Sequence, residues 1–169
     1  WSPATFIGWS NVGFDDEMIR KEFFKGIRYP YITNSSPNKR HDGLNIARAA
    51  YAIDSNILKT EINEKGNAVM KLESLARMNG FEVSGAHSAL FDAELTMKVL
   101  GLIKKKQPNT WESFFQTSSK LDTETIFKKE KIITLNEYFY GKSRLYLCAP
   151  LHPKHCIHPI YQWGQAVDL

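Results

Sequence analysis

Residues 88–106 constrain this chain most strongly. Phe91, Leu95, Val99 and Ile103 recur at four-residue spacing, Leu100 and Leu102 widen the stripe, and Lys104-Lys105-Lys106 precede Pro108. The pattern predicts one long amphipathic helix starting at Ser88, closed by cations that suit the negative end of its dipole. Just ahead of it, Gly-Ala-His-Ser-Ala-Leu-Phe-Asp-Ala-Glu (85–94) sets His87 five positions before Asp92. A histidine and a carboxylate therefore stand together where the helix opens.

Shorter signals surround this helix. Ala-Thr-Phe-Ile-Gly-Trp (4–9) reads as a buried strand ended by Ser10, Asn11 and Gly13. A helix is expected from Asp15, where Asp15, Asp16 and Glu17 suit the positive end of its dipole. Residues 28–41, with Pro30, Pro37 and the pair Lys39-Arg40, read as an exposed loop. Asp42 is placed to cap the next helix, which carries Leu44, Ala47, Ala50 and Tyr51 on one face and Arg48 elsewhere. A polar connection at 63–67 leads to a short helix over 71–79 that ends at Asn79-Gly80, and 81–83 is extended. Beyond Pro108 an aromatic helix around Trp111, Phe114 and Phe115 gives way to a serine-rich connection, and a domain boundary is placed between 117 and 118. Short strands are expected at 132–135, 145–149 and 165–169.

With 43% hydrophobic and 24% charged residues among 169, the chain has the composition of a globular protein, not a disordered one. A net charge of +4 permits a polyanionic partner without demanding one. Two cysteines make no disulfide framework, and neither a signal peptide nor a membrane-length apolar run is found, so a reduced, cytoplasmic setting without membrane contact is expected. The chain opens on Trp1-Ser2-Pro3 and stops on the alternating run Ala166-Val167-Asp168-Leu169, which reads as an internal segment of a longer protein.

Asp15, His87 and Asp92 carry the chemistry. Hydrolysing a phosphodiester at neutral pH requires charge neutralisation, which carboxylates holding Mg²⁺ provide, and a base such as histidine to take a proton from water. Each residue also has a plainer role, as a cap or a dipole partner. Two other clusters compete. Asp122-Thr123-Glu124-Thr125 has the lettering of a metal motif but follows Ser118-Ser119-Lys120 instead of an apolar strand. Cys148, His152, His155, Cys156 and His158 are zinc-ligand types without paired spacing.

Four stretches, WSNVGFDDEMIR, HDGLNIARAAYAI, KLESLARMNGFEVSGAHSALFDAELT and KKKQPNTWESFF, occur in an order and spacing that resemble the DEDDh 3′-to-5′ exonucleases of the ribonuclease H-like superfamily, in particular the bacterial exodeoxyribonuclease I family. The resemblance implies an α/β fold: a ribonuclease H-like exonuclease domain over 1–117 with a mixed sheet flanked by helices, then a linker and the start of an SH3-like β domain over 118–169. It implies hydrolysis of single-stranded DNA with two Mg²⁺ ions, or Mn²⁺ in their place, in DNA repair and recombination. Asp92 would be a direct metal ligand, Asp15 would serve the second metal through water, and His87 would be the general base. Arg20, Tyr31, Arg48 and Lys71 fall on DNA-contact positions, and a single-stranded-DNA-binding protein is an implied partner.

The family's opening Asp-x-Glu is expected upstream of Trp1, so the chain by itself should be inactive, and an uncovered sheet edge would invite dimerisation or domain swapping. The competing reading is a non-catalytic single-stranded nucleic-acid-binding module using Arg20, Tyr31, Lys39, Arg40, Arg48 and Lys71. A third reading is a structural domain whose acids only cap helices.

Overall fold

The computed structural model describes residues 2–84 and 88–169. Along the chain run Thr5–Gly8 (β1), Asp15–Lys25 (α1), Lys39–Asp42 (β2), Gly43–Ile53 (α2), Leu72–Met78 (α3), Ala89–Lys106 (α4), Pro108–Trp111 (α5), Lys120–Lys129 (α6), Ile133–Phe139 (β3), Lys142–Pro150 (β4) and Ala166–Asp168 (β5). Single 3-10 turns lie at Asn11–Gly13 and Glu112–Phe115.

The long helix is α4, and the Ser88 hydroxyl caps it by accepting the Phe91 N–H at 3.3 Å. Its buried Leu95, Val99, Leu100 and Ile103 cluster with Ile46, Ala47 and Ala50 of α2, Ile57 and Leu58 of the following loop, and Leu75 and Ala76 of α3. Each fully buried side chain of leucine size contributes about 1.5–3 kcal/mol, so this three-helix contact is the main source of stability. Trp111, Phe114 and Phe115 pack on its border, as the aromatic pattern after Pro108 suggests.

β1 and β2 pair in parallel, from Thr5 beside Lys39 to Gly8 beside Asp42. This corrects the reading of 28–41 as loop throughout, because its last residues join a strand that contains nothing apolar. Tertiary pairing outweighs propensity here: the Lys39 N–H donates to the Ala4 carbonyl at 2.9 Å, and the Asn11 side-chain NH₂ reaches the carbonyls of both Gly8 and His41 at 3.1 and 3.2 Å. The expected full burial of β1 is corrected as well. Among the described residues β1 pairs only with β2, and Ile7 is left 38% exposed.

Asp42 caps α2 as expected, its Oδ1 accepting the Leu44 N–H at 2.9 Å, and the same oxygen accepts the Ser10 N–H at 2.9 Å. One carboxylate thus ties the exit of β1 to the start of α2. Gly43 is needed at that crossing, since a Cβ there would sit 3.0 Å from the Gly8 carbonyl oxygen.

The remaining strands form an antiparallel sheet in the order β3-β4-β5. β3 and β4 extend beyond the expected 132–135 and 145–149 and join through Tyr140-Gly141, both with positive φ (49° and 81°), as a tight hairpin turn requires. Glu137 opposite Arg144 adds a cross-strand pair of opposite charge within the extension. This sheet packs on α2, where the Arg48 guanidinium lies 3.6 Å from the centre of the Tyr138 ring. Residues 117 and 118 lie in the chain between the helical core and this sheet, and the core and sheet are in contact through α2.

His41 sits at that junction, its Nε2 3.0 Å from the Ser118 hydroxyl and its ring edge-to-face with Phe115. Burial, and secondarily the Lys39 charge, hold its pKa below the ordinary 6.5. The unfolded chain then binds the proton more readily, so stability from neutral His41 is complete above pH 6.5 and declines as the pH falls through the lowered folded value. Thermal melts from pH 7.5 to 5 are expected to show this fall, and a His41→Gln variant a flatter profile.

Candidate active site

The turn from β1 into α1 presents two adjacent carboxylates in opposite environments. Asp15, the first residue of α1, is exposed, whereas Asp16 is only 4% exposed and lies 3.2 Å from Arg40 Nη1. Asp16 was expected merely to complement the helix dipole; its position instead makes it an anchor between α1 and β2.

Asp15 and Asp92 line one open cleft of about 900 Å³, although they are far apart in sequence. The cleft is bounded by β1, the start of α1, the start of α3 and the first turn of α4, and Lys71 stands on its wall. Lys71 is held there by an indirect contact: the Trp9 indole N–H donates to the Met70 carbonyl at 3.2 Å, fixing the segment that leads into α3. Asp92 lines the cleft from the first turn of α4, which Ser88 caps, with its own N–H donating to the Ser88 carbonyl at 2.9 Å. His87 lies outside the described residues. It immediately precedes the cap that opens α4.

The other sequence-derived positions separate into two groups. Arg20 and Tyr31 sit together, with the guanidinium 5.0 Å from the ring centre and Nη1 donating to Glu17 at 2.5 Å, and neither lines the cleft. Their neighbours Ile19 and Thr33 line the cleft itself. Arg48 does not line it and is engaged with Tyr138 and with Asn45 Oδ1 at 3.4 Å. Arg40, grouped with the exposed cations in the binding-module reading, is largely enclosed and paired with Asp16.

The competing clusters resolve as ordinary structure. Asp122–Thr125 lies within α6, where Ser119 Oγ caps the helix by accepting the Asp122 N–H at 3.1 Å and Glu124 pairs with Lys128. In the tail, the Nδ1 atoms of His152 and His158 accept backbone N–H groups, Cys156 Sγ faces the Pro153 carbonyl at 3.4 Å, and both cysteines are free and buried. Among the described residues no group of three or more His, Cys, Asp or Glu is placed to hold a metal ion. Two carboxylates lining one cleft are nevertheless the hard oxygen donors Mg²⁺ takes, since that ion typically keeps several waters and binds through one or two carboxylates plus phosphate. Among the described residues no helix is long and apolar enough to cross a membrane.

No protein-family model matches the chain. It is 32% identical over 160 residues to exodeoxyribonuclease I of Buchnera aphidicola from Acyrthosiphon pisum, covering 94% of this chain and 38% of that protein. It is 35% identical over 120 residues to the Escherichia coli enzyme, covering 70% and 25%. The fold agrees with E. coli exonuclease I in complex with a dA16 oligonucleotide, at a TM-score of 0.76 and 28% identity over 94% of this chain and 34% of that one. Similar matches are a zinc-bound complex of E. coli exonuclease I with single-stranded DNA (TM-score 0.73, 28% identity, 94% and 34% covered) and an exonuclease I complex with an SSB C-terminal segment (0.73, 27%, 92% and 34%). The chain spans between 25% and 38% of the curated relatives' lengths. In sequence and in fold alike, the chain is exodeoxyribonuclease I-like and corresponds to one segment, about a third, of that bacterial enzyme's architecture.

Proposed function

We propose that this chain contributes half of a two-metal site that removes nucleotides from the 3′ end of single-stranded DNA, within a cytoplasmic enzyme of DNA repair and recombination. The observation that carries this reading is the convergence of Asp15 and Asp92 on one cleft with Lys71 on its wall. The likeness to a zinc-bound complex of E. coli exonuclease I supports a metal, and Mg²⁺, with Mn²⁺ as an alternative, is the ion proposed for this chain.

Asp92 would hold one ion directly and Asp15 the second through water. When bound, the ions supply Lewis-acid stabilisation of the phosphoryl oxygens and a more acidic water. His87, one residue before the α4 cap, would take the proton from that water. Lys71 neutralises a phosphate in the cleft. Arg20 and Tyr31 form a cation-and-ring pair at its margin, suited to a phosphate and a stacked base. Arg48, under Tyr138, would reach the strand only farther along its path. The division into an exonuclease part (1–117) and the start of an SH3-like part (118–169) is supported by the helical core lying wholly in the first and the β3-β4-β5 sheet in the second. The solved exonuclease I complex with an SSB C-terminal segment supports a single-stranded-DNA-binding protein as partner, and the half-exposed β1 keeps dimerisation or strand exchange at a sheet edge within the proposal.

Two carboxylates are too few to retain two ions, so these 169 residues alone should bind single strands without cleaving them. Binding should weaken about tenfold in an Arg20→Ala/Tyr31→Ala double variant, with a shallower salt dependence. Fluorescence titration with an oligothymidylate at two salt concentrations tests this. Unchanged affinity in the double variant would defeat the nucleic-acid assignment of that pair.

A further inference from the structure

One face of α4 lines the cleft through Ala89, Asp92, Ala93 and Thr96, at the spacing of neighbours on a helix surface. The small alanines leave the space beside Asp92 open. Thr96 differs from them. It is only 4% exposed, and among the buried residues of α4 it alone carries a hydroxyl, beside Leu95, Val99, Leu100 and Ile103.

The two branches of this side chain have different partners. The hydroxyl donates to the Asp92 carbonyl at 2.8 Å, in addition to the helical bond that the Thr96 N–H makes to the same oxygen. A second donor of this kind tilts the carbonyl and bends the turn that contains it, so it sets how the first turn of α4 presents Asp92. The methyl carbon Cγ2 faces Gly43, where an added Cβ would stand 3.4 Å from it, 3.3 Å from the Trp9 ring and 3.0 Å from the Gly8 carbonyl oxygen.

A continuous line of contact results. From Asp92 it passes through Thr96 to Gly43, and from there to Gly8 and Trp9 at the exit of β1. There Asp42 accepts the Ser10 N–H, and the chain turns into α1 and Asp15. The two acids lie at opposite ends of this line. Valine would fill the same space as Thr96, so what the hydroxyl adds is its bond to the Asp92 carbonyl.

We infer that Thr96 is a positioning residue: with its hydroxyl on the Asp92 carbonyl and its methyl on Gly43, it fixes where the Asp92 carboxylate stands relative to Asp15. The inference rests on the reading of these acids as metal ligands, and the test separates the two. Groups that orient a ligand in this way change metal affinity or turnover by about 10- to 100-fold when removed.

Thr96→Val, Thr96→Ser, Gly43→Ala, the Gly43→Ala/Thr96→Val pair and Asp92→Asn would be made in a protein extended to the length of the bacterial relatives. Mn²⁺ binding without DNA would be followed by electron paramagnetic resonance, then kcat and KM on an oligothymidylate, with circular dichroism confirming the fold. Thr96→Val leaves the Asp92 carbonyl its helical N–H, so no buried group is orphaned and the chain should fold. It should weaken Mn²⁺ binding and lower kcat, each about tenfold, with KM for the strand unchanged, and Thr96→Ser should recover most of both. Gly43→Ala wedges the same junction, and the pair should lose less than the product of the two single effects, because both act on one line of contact. Wild-type Mn²⁺ affinity in Thr96→Val, or a Thr96→Ser variant as weak as Thr96→Val, overturns the positioning role, while a loss in Asp92→Asn leaves the metal reading intact. Effects of Thr96→Val and Gly43→Ala that multiply in full overturn the link through Gly43. Unchanged Mn²⁺ binding in Asp92→Asn overturns the metal reading, and with it this inference.

Discussion

Replacing Asp92 with asparagine, in a protein that extends this chain to the length of its bacterial relatives, is expected to lower Mg²⁺-dependent release of nucleotides from a 3′-tailed single strand by about a thousandfold or more. Asparagine keeps the size and hydrogen-bonding capacity of the side chain but removes the charge that would hold the ion. A metal contribution of several kcal/mol to the transition state corresponds to that factor. The substitution lies in the capped first turn of α4, where the backbone bonds from Ser88 do not depend on the carboxylate. Turnover should collapse in a variant whose circular dichroism spectrum still shows the helices. Equal rates for wild type and the variant would remove Asp92 from the catalytic assignment.

The second large effect separates two neighbouring acids. Asp16→Asn is expected to destabilise the fold by about 3 kcal/mol, because it strips the partner from Arg40 in a largely enclosed pair. Asp15→Asn, at an exposed position one residue earlier, should cost less than about 1 kcal/mol, the worth of a charge at a helix N-terminus. In the extended enzyme the order reverses: Asp15→Asn loses activity with its fold intact, and Asp16→Asn loses activity only as it unfolds. Urea denaturation of both variants beside the nuclease assay checks this. Equal destabilisation by the two would mean that Asp16 is not the anchor its burial implies.

The difference between these acids marks the limit of what the sequence discloses. Local signals were readable because the physics is local: the Ser88 and Asp42 caps, the four-residue stripe of α4 and the Asn79-Gly80 helix end all lie within a few residues of what they control. Asp15 and Asp16 carry the same local signal, and only the distant Arg40 distinguishes them. Lys39–Asp42 has no strand pattern and becomes β2 through pairing with β1. The hairpin read short because Asn136-Glu137 interrupts the apolar alternation and the turn opens on a tyrosine with positive φ, where asparagine or aspartate is usual.

The candidate site follows the same division. Asp15 and Asp92 stand out in the sequence by their places at two helix starts, Lys71 only through the family resemblance, and that all three line one cleft is a result of packing. Not legible in the sequence is the stacking of His158 on Tyr161 and of Tyr161 on Trp163, each with ring centroids 4.9 Å apart, because these residues follow no helical or strand period. The signal that could have found it is aromatic density in a proline-bounded loop.

The contact of α2 with both halves of the chain has a mechanical consequence. Arg48 lies on Tyr138, and the Tyr140-Gly141 turn abuts Asn67 so closely that a Cβ on Gly141 would meet its side chain at 2.5 Å. The sheet cannot swing against the helices without breaking both contacts. A substitution in the hairpin, at Tyr138 or Gly141, would therefore be felt in α2 and in the loop at Asn67 as well as in the sheet itself.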